Sequence, residues 1–222
     1  MPHIDRLAAC TWYHSGHLAA AGVSSCSVVF FVFSLETSMT IPVIDLFAGP
    51  GGLGEGFSRS SQAHFEIAVS IEKDPMASLT LRLRAVHRAL QRMKLDGSTW
   101  RLWDETLEKT PWNELFDRLA SSGNEHILAA CEHAQREVWN FELGPLNRAQ
   151  VSSEIRKRLS PYLQEGGKLP DNLVLIGGPP CQAYSHVGRA RNRGNTEYRP
   201  EHDHRHFLYL EYLHVINEFR PA

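Results

Sequence analysis

A chain of 222 residues is long enough for one α/β domain with a real core. Its 42% hydrophobic and 22% charged residues and its net charge of -2 are those of an ordinary globular protein. That charge neither suggests nor excludes a polyanion partner, because charge can be local. No apolar run is long enough to span a membrane. The four cysteines, Cys10, Cys26, Cys131 and Cys181, contain no CxxC pair. They signal neither a zinc site nor a disulfide framework, and read as reduced thiols of a cytoplasmic protein.

The first distinctive stretch, VSSCSVVFFVFSL at Val23–Leu35, loosely resembles a signal-peptide core. Little positive charge precedes it and no clear small-residue cleavage site follows. Translation starting at Met39 is the preferred explanation, which makes residues 1–38 a non-native or poorly ordered extension. An N-terminal peptide from the natural source mapping before Met39 would overturn this.

IPVIDLF, Ile41–Phe47, reads as a buried parallel strand, followed by a glycine-rich turn into a helix. FEIAVSIE, Phe65–Glu72, is a second strand. Asp74 then stands as an N-cap and Pro75 at the first helical position. Leu79, Leu83, Val86, Leu90 and Met93 recur at helical spacing; Arg82, Arg88 and Arg92 fall off that stripe and read as a solvated face. From Leu95 to Glu142 the chain is polar and Trp-rich. TPWNELFDRLA and NEHILAACEHAQREVWNF read as short helices, and about 95–142 as an insertion between core elements. Val151, Ile155 and Leu159 share one helical face. NLVLIGG, Asn172–Gly178, is another buried strand, and His206–Phe219 a final helix. No internal repeat is evident. The alternation of strands and helices implies an α/β fold with a parallel sheet and right-handed crossovers.

Two turns carry the chemistry. DLFAGPGGLGEGF joins the first strand to the first helix. Its glycines at 49, 51 and 52 allow positive φ and close approach to a ligand, and the helix start offers N–H donors to an anion. A nicotinamide-dinucleotide site is an alternative, although the spacing is not a clean GxGxxG. Glu72, ending the second strand, is placed for the ribose hydroxyls of any adenosine cofactor. The other turn is LVLIGGPPCQAYSHVGR, Leu173–Arg189. Ligands of open parallel sheets sit at the carboxyl ends of the strands, so both turns face one cleft. Pro179 and Pro180 fix the backbone before Cys181, whose thiolate is a competent nucleophile when positive charge lowers its pKa.

DLFAGPGGLGEGF followed by GGPPCQAYS closely resembles the DNA cytosine-5 methyltransferases, over roughly 41–90 and 172–221. The resemblance implies a Rossmann-like sheet that binds S-adenosylmethionine and yields S-adenosylhomocysteine. It covers the N-terminal part of the family's catalytic domain, in residues 39–222. Cys181 is then expected to attack C6 of a cytosine flipped out of double-stranded DNA. C5, made nucleophilic, takes the methyl group, and loss of its proton expels the thiolate. Phe47 is expected against the adenine, with Ala48, Gly49, Pro50, Gly51, Gly52 and Leu53 around the methionine part. Glu72 takes the ribose, Lys73 partly covers the adenine, and Pro179 and Leu208 lie near the cofactor. Pro180 belongs to the boundary between cofactor and base. Gln182 helps fill the gap left by the flipped base. Ser185, Arg189, Arg191, Arg193 and Arg205 are candidates for DNA contact, the arginines at 189, 191 and 193 through phosphates or as a bland solvated loop. HDHRH, His202–His206, lacks the spacing of a ligand set, and no metal is expected.

Two departures stand out. The family's acidic residue after the third strand has no clear equivalent; FELGPLNRAQ places Pro145 and Asn147 near it, and Asn147 is a candidate acceptor for the adenine amino group. The family's Glu-Asn-Val motif and target-recognition region have no counterpart. The sheet is therefore expected to be incomplete, with the Asn172–Gly178 strand as an open edge, marginal in stability unless completed. A truncated gene or partial record is the favoured account, with a second polypeptide supplying the missing half as the other. The implied setting is restriction–modification. An RNA cytosine-5 methyltransferase and an inactive remnant that at most binds cofactor stay open as alternatives.

Overall fold

The computed structural model describes residues 39–179 and 208–222. The expectations for residues 1–38 and for Pro180, Cys181, Gln182, Ser185, Arg189, Arg191, Arg193 and Arg205 fall outside these residues.

Four strands form one parallel sheet: β1 Ile41–Leu46, β2 Phe65–Glu72, β3 Val138–Asn140 and β4 Val174–Gly177, in the order β3-β2-β1-β4. The α/β class with an all-parallel sheet is as the sequence implies. The helices are α1 Gly52–Ser58, α2 Pro75–Arg92, α3 Gly97–Lys109, α4 Leu115–Ala120, α5 Glu125–Glu137, α6 Arg148–Leu159 and α7 Leu208–Phe219. At the start of α2 the Asp74 carboxylate accepts from the Ala77 amide at 2.8 Å, the cap expected before Pro75.

Alternation along the strands divides the core. Val43, Ile67 and Ile176 point to one face, where Phe57 of α1 packs. Ile44, Leu46, Val69 and Ile71 point to the other, onto Val151, Ile155 and Leu159 of α6 and Val215 and Phe219 of α7. The register shifts between Val43 and Ile44, leaving Ala68 as the extra residue of a bulge. Seven polar side chains are buried among the described residues, and three of them, Asp45, Ser70 and Glu137, lie in or next to the sheet.

Two sequence expectations need correction. The stretch read as helical through Phe141 leaves the helix at Glu137 and continues as β3, paired with Ser70–Glu72. Three residues are too few to show a strand period; the middle one, Trp139, stacks on Phe141 just beyond the strand, ring centroids 4.0 Å apart. Of the three arginines read as a solvated face, Arg82 and Arg88 are partly buried and Arg92 is exposed. Helices α3, α4 and α5 pack on α2 through Trp103, Phe116, Leu119, Ile127 and Ala134. Arg82 therefore lies with its guanidinium carbon 5.5 Å from the centre of the Phe116 ring. Arg88 is 11% exposed and ion-paired to Glu55 and Glu137. Arg92 is the most open of the three, 3.4 Å from Glu66.

Cys131 is buried in α5, and burial pushes its thiol up to about 11, as suits a structural cysteine. Among the described residues no helix is long and apolar enough to cross a membrane, and no cluster of three His, Cys, Asp or Glu side chains is placed to hold a metal ion.

Candidate functional site

Strand order reverses between β1 and β4. From β1 the chain moves to β2 and β3 on one side; β4 is laid on the other. Open parallel sheets bind ligands in the crevice at the carboxyl ends of the strands beside such a reversal.

The turn leaving β1 is tightly determined. Phe47 has φ 54, a left-handed conformation unusual for an aromatic residue. It is held there by the strand neighbour, because the next amide, Ala48, donates to the Ile71 carbonyl at 3.1 Å. Gly49 and Gly51 follow at φ 56 and 87. The Gly51 amide donates to the Ala48 carbonyl at 3.0 Å and closes the turn. A Cβ at Gly51 would come within 2.5 Å of Leu81 on α2, so the turn sits directly on that helix. Pro50, Gly52 and Leu53 are exposed at its rim, and Ala48 is half-buried.

Glu72 meets this turn from the end of β2. One carboxylate oxygen accepts from the Gly49 amide at 2.8 Å, the other from the Asp74 amide at 2.8 Å. Each oxygen keeps a lone pair for a further donor. Beside it, Asn140 at the end of β3 donates to the carbonyls of Glu72 and Lys73 at 2.8 and 3.0 Å. Lys73 reaches Glu142 at 3.1 Å. Lys73, Asp74, Pro75, Asn140, Phe141 and Glu142 line a cavity of about 460 Å³. Asn147 takes no part in it. Its amide oxygen accepts from the Gly144 amide at 3.0 Å and its nitrogen donates to the Glu142 carbonyl at 2.7 Å, so both ends tie its own loop.

At β4 the approach to β1 is closer still. Gly177 has φ 123, and a Cβ there would stand 1.8 Å from the Leu46 carbonyl oxygen. Glycine is therefore required where the second turn begins. Pro179 is half-buried just beyond. Leu208, half-buried, opens α7.

The structure adds a residue that the sequence reading passed over. Asp45, inside β1, is 1% exposed, and neither carboxylate oxygen has a hydrogen-bond partner among the described residues. It lies beneath α1, where a Cβ at Gly54 would be 3.2 Å from its Oδ2. Its pKa is raised to about 7, first by burial and then by Glu137 and Glu72, with Arg88 opposing them. The signal was present in IPVIDLF: an acid within a strand buried on both faces is out of place unless it is used.

The crevice thus brings together the Glu72 carboxylate, a cavity beside Phe141 and a buried carboxyl group under a glycine turn. These features define an α/β sheet protein with a ligand crevice at its switch point. Comparison with known proteins narrows the class. The chain is 31% identical over 182 residues to Type II methyltransferase M.Bpa9945I of Bacillus paralicheniformis, an alignment covering 81% of this chain and 38% of that protein. It is 50% identical over 44 residues to M.OihORF3336P of Oceanobacillus iheyensis, whose name also contains the words type II methyltransferase; this covers 19% of the chain and 10% of the relative. The chain therefore spans well under half the length of the curated relatives it matches. No family model matches it, and no solved structure does.

Proposed function

We propose that this chain forms the cofactor-binding part of an S-adenosylmethionine-dependent DNA cytosine-5 methyltransferase of a restriction–modification system, with Cys181 as its nucleophile. The observation that carries the cofactor reading is the Glu72 carboxylate held 2.8 Å from the Gly49 amide at the switch point. The similarity to proteins named type II methyltransferases supports the reaction class, and the Pro180-Cys181-Gln182 sequence motif supports the cytosine chemistry.

The residues present fit the cofactor. Glu72 retains acceptor capacity for the two ribose hydroxyls. The cavity between Lys73 and Phe141 suits the adenine ring. Asp45 offers a buried negative charge to the cationic methionine end. When bound, S-adenosylmethionine supplies an electrophilic methyl group. Cys181 would supply the thiolate that adds to C6 of cytosine, and Pro179 and Pro180 restrict the backbone that carries it. Gln182, Ser185 and the arginines at 189, 191, 193 and 205 are the proposed DNA side of the cleft.

Two measurements test the reading. Titration calorimetry should show S-adenosylmethionine binding to the full chain and its loss in Glu72→Ala; equal binding by both proteins rules out the cofactor assignment. Duplex DNA containing 5-fluorocytosine cannot lose a C5 proton, so after methyl transfer the adduct to the thiol should persist as a band stable to denaturation. Cys181→Ser should abolish that band, and a band that survives the substitution removes Cys181 from the mechanism.

A further inference from the structure

We propose that Arg88 is a positioning residue of the cofactor cleft, clamping its two walls together and setting the charge under the glycine turn; this rests on the cofactor reading above. The guanidinium reaches two elements far apart in sequence. Its Nη1 donates to Glu55 of α1 and its Nη2 to Glu137, the last residue of α5. Helix α1 continues directly from the glycine turn. Glu137 leads directly into β3, whose end carries Asn140 and then Phe141, both lining the cavity. One side chain therefore joins the wall beside the methionine part to the wall beside the adenine.

Packing alone does not account for the triad. Arg88, Glu55 and Glu137 are 11%, 14% and 3% exposed. Buried ionic triads contribute less to stability than apolar side chains of the same volume in measured cases. A planar guanidinium with two carboxylates instead fixes geometry, because both bonds must lie in one plane.

The charges around Asp45 follow the same logic. Glu72 faces it from β2, Glu137 from α5, Arg88 from α2 and Tyr212 from α7. Glu55 of α1 joins the cluster through Arg88, and His133 lies 3.6 Å from the other oxygen of Glu137. Carboxylates outnumber the guanidinium. The cluster favours a cationic ligand, and in its absence favours a proton on Asp45. Arg88 holds Asp45 toward the ionised form, whereas Glu137 pushes it toward the neutral one.

These opposed effects give a test that a purely structural role does not satisfy. Binding of S-adenosylmethionine to the full chain would be titrated from pH 6 to 8.5 for the wild type, Arg88→Met, Arg88→Lys and Glu137→Gln. Arg88→Met is expected to weaken binding roughly tenfold at pH 7.5, in the range of coupled neighbouring sites, and to move the pH midpoint upward. Glu137→Gln is expected to move the midpoint downward. Arg88→Lys should restore the midpoint but only part of the affinity, since an ammonium does not reproduce the two-pronged geometry. Should Arg88→Met fail to fold, the downward shift in Glu137→Gln carries the test. Unchanged midpoints, or shifts of the same sign in Arg88→Met and Glu137→Gln, overturn the proposal while leaving the cofactor reading standing. A wild type that binds no S-adenosylmethionine overturns both.

Discussion

The two ends of the sheet carry cavities of different kinds. At the amino end of the strands a space of about 920 Å³ is lined by side chains that include Glu66, Glu154, Arg158 and Tyr162. At the carboxyl end the cavity is about half as large, 460 Å³. Yet the carboxylates of the larger one all have basic partners. Glu66 pairs with Arg92, Glu154 with Arg158, and Arg158 also donates to the Arg136 carbonyl at 2.8 Å. No residue lining either cavity has a positive φ; the difference lies in the turns beside them. The carboxyl end gathers Phe47, Gly49, Gly51 and Gly177, all with positive φ, around a buried Asp45 without a partner among the described residues. Volume follows from imperfect packing. Unmatched polarity and strained backbone cost free energy, and they persist where surrounding structure enforces them, commonly at functional sites.

The sharpest test of this contrast is Gly177→Ala. The added Cβ would overlap the Leu46 carbonyl, and φ 123 is closed to alanine. A loss of roughly 4 kcal/mol or more is expected, at the upper end for single substitutions. Gly166→Ala is the control. It has φ 77 but nothing within 4 Å of the added carbon, so it should lose only about 1 kcal/mol. Urea unfolding of both variants decides it, and equal losses would show that the carboxyl end is not specially constrained.

Asp45→Asn comes next and should stabilise the free protein. An acid raised from 3.8 to about 7 on folding is neutral in both states below 3.8. Between those values the folded state holds a proton that the unfolded state has released, so stability falls as pH rises, and is fully reduced above 7. The asparagine variant should gain on the order of 3 kcal/mol at pH 8 and progressively less toward pH 4, while losing S-adenosylmethionine binding. A gain independent of pH would mean that Asp45 is not raised.

The sequence made much of this readable, for identifiable reasons. β1, β2 and β4 are apolar runs bounded by glycine, proline or charge, and the Asp74 and Pro75 cap of α2 is a local signal needing no tertiary context. The meeting of Glu72 with the glycine turn followed from parallel strands sharing a carboxyl edge. Helix α2 was misread because periodicity assumes one buried face, whereas this helix is packed on more than one side. β3 was hidden because it runs straight on from α5 at Glu137. Asn147 had suitable chemistry, but its short-range bonds to Gly144 and Glu142 could not be foreseen from residue type. Asp45 was signalled as an acid within an apolar strand, and its burial without a donor among the described residues gives that signal its weight.

Glu72→Ala should affect binding more than folding. Two amides, Gly49 and Asp74, lose their acceptor, but both lie at a partly exposed rim where water can replace it. A loss of about 1 kcal/mol in stability is expected, against at least a tenfold loss in S-adenosylmethionine affinity if the ribose is held there. A variant equally impaired in both would make Glu72 a turn-bracing residue only.

The smallest effect is expected at the opposite end, and it bears most directly on the contrast between the two cavities. Glu66 pairs with Arg92 at 3.4 Å with both side chains part-exposed, 24% and 38%. It also accepts from Tyr162, whose hydroxyl is raised in pKa chiefly by burial. In Glu66→Gln one acceptor oxygen remains and the charge is lost. Part-exposed pairs of this kind contribute about 0.5 kcal/mol, so stability should change by no more than that, and S-adenosylmethionine affinity not at all. If the amino-end cavity were the binding site, this substitution would remove a charge from its lining and affinity would change. An altered affinity in Glu66→Gln with an unaltered one in Glu72→Ala would exchange the roles of the two ends, because matched charge would then have failed as a mark of structural rather than functional residues.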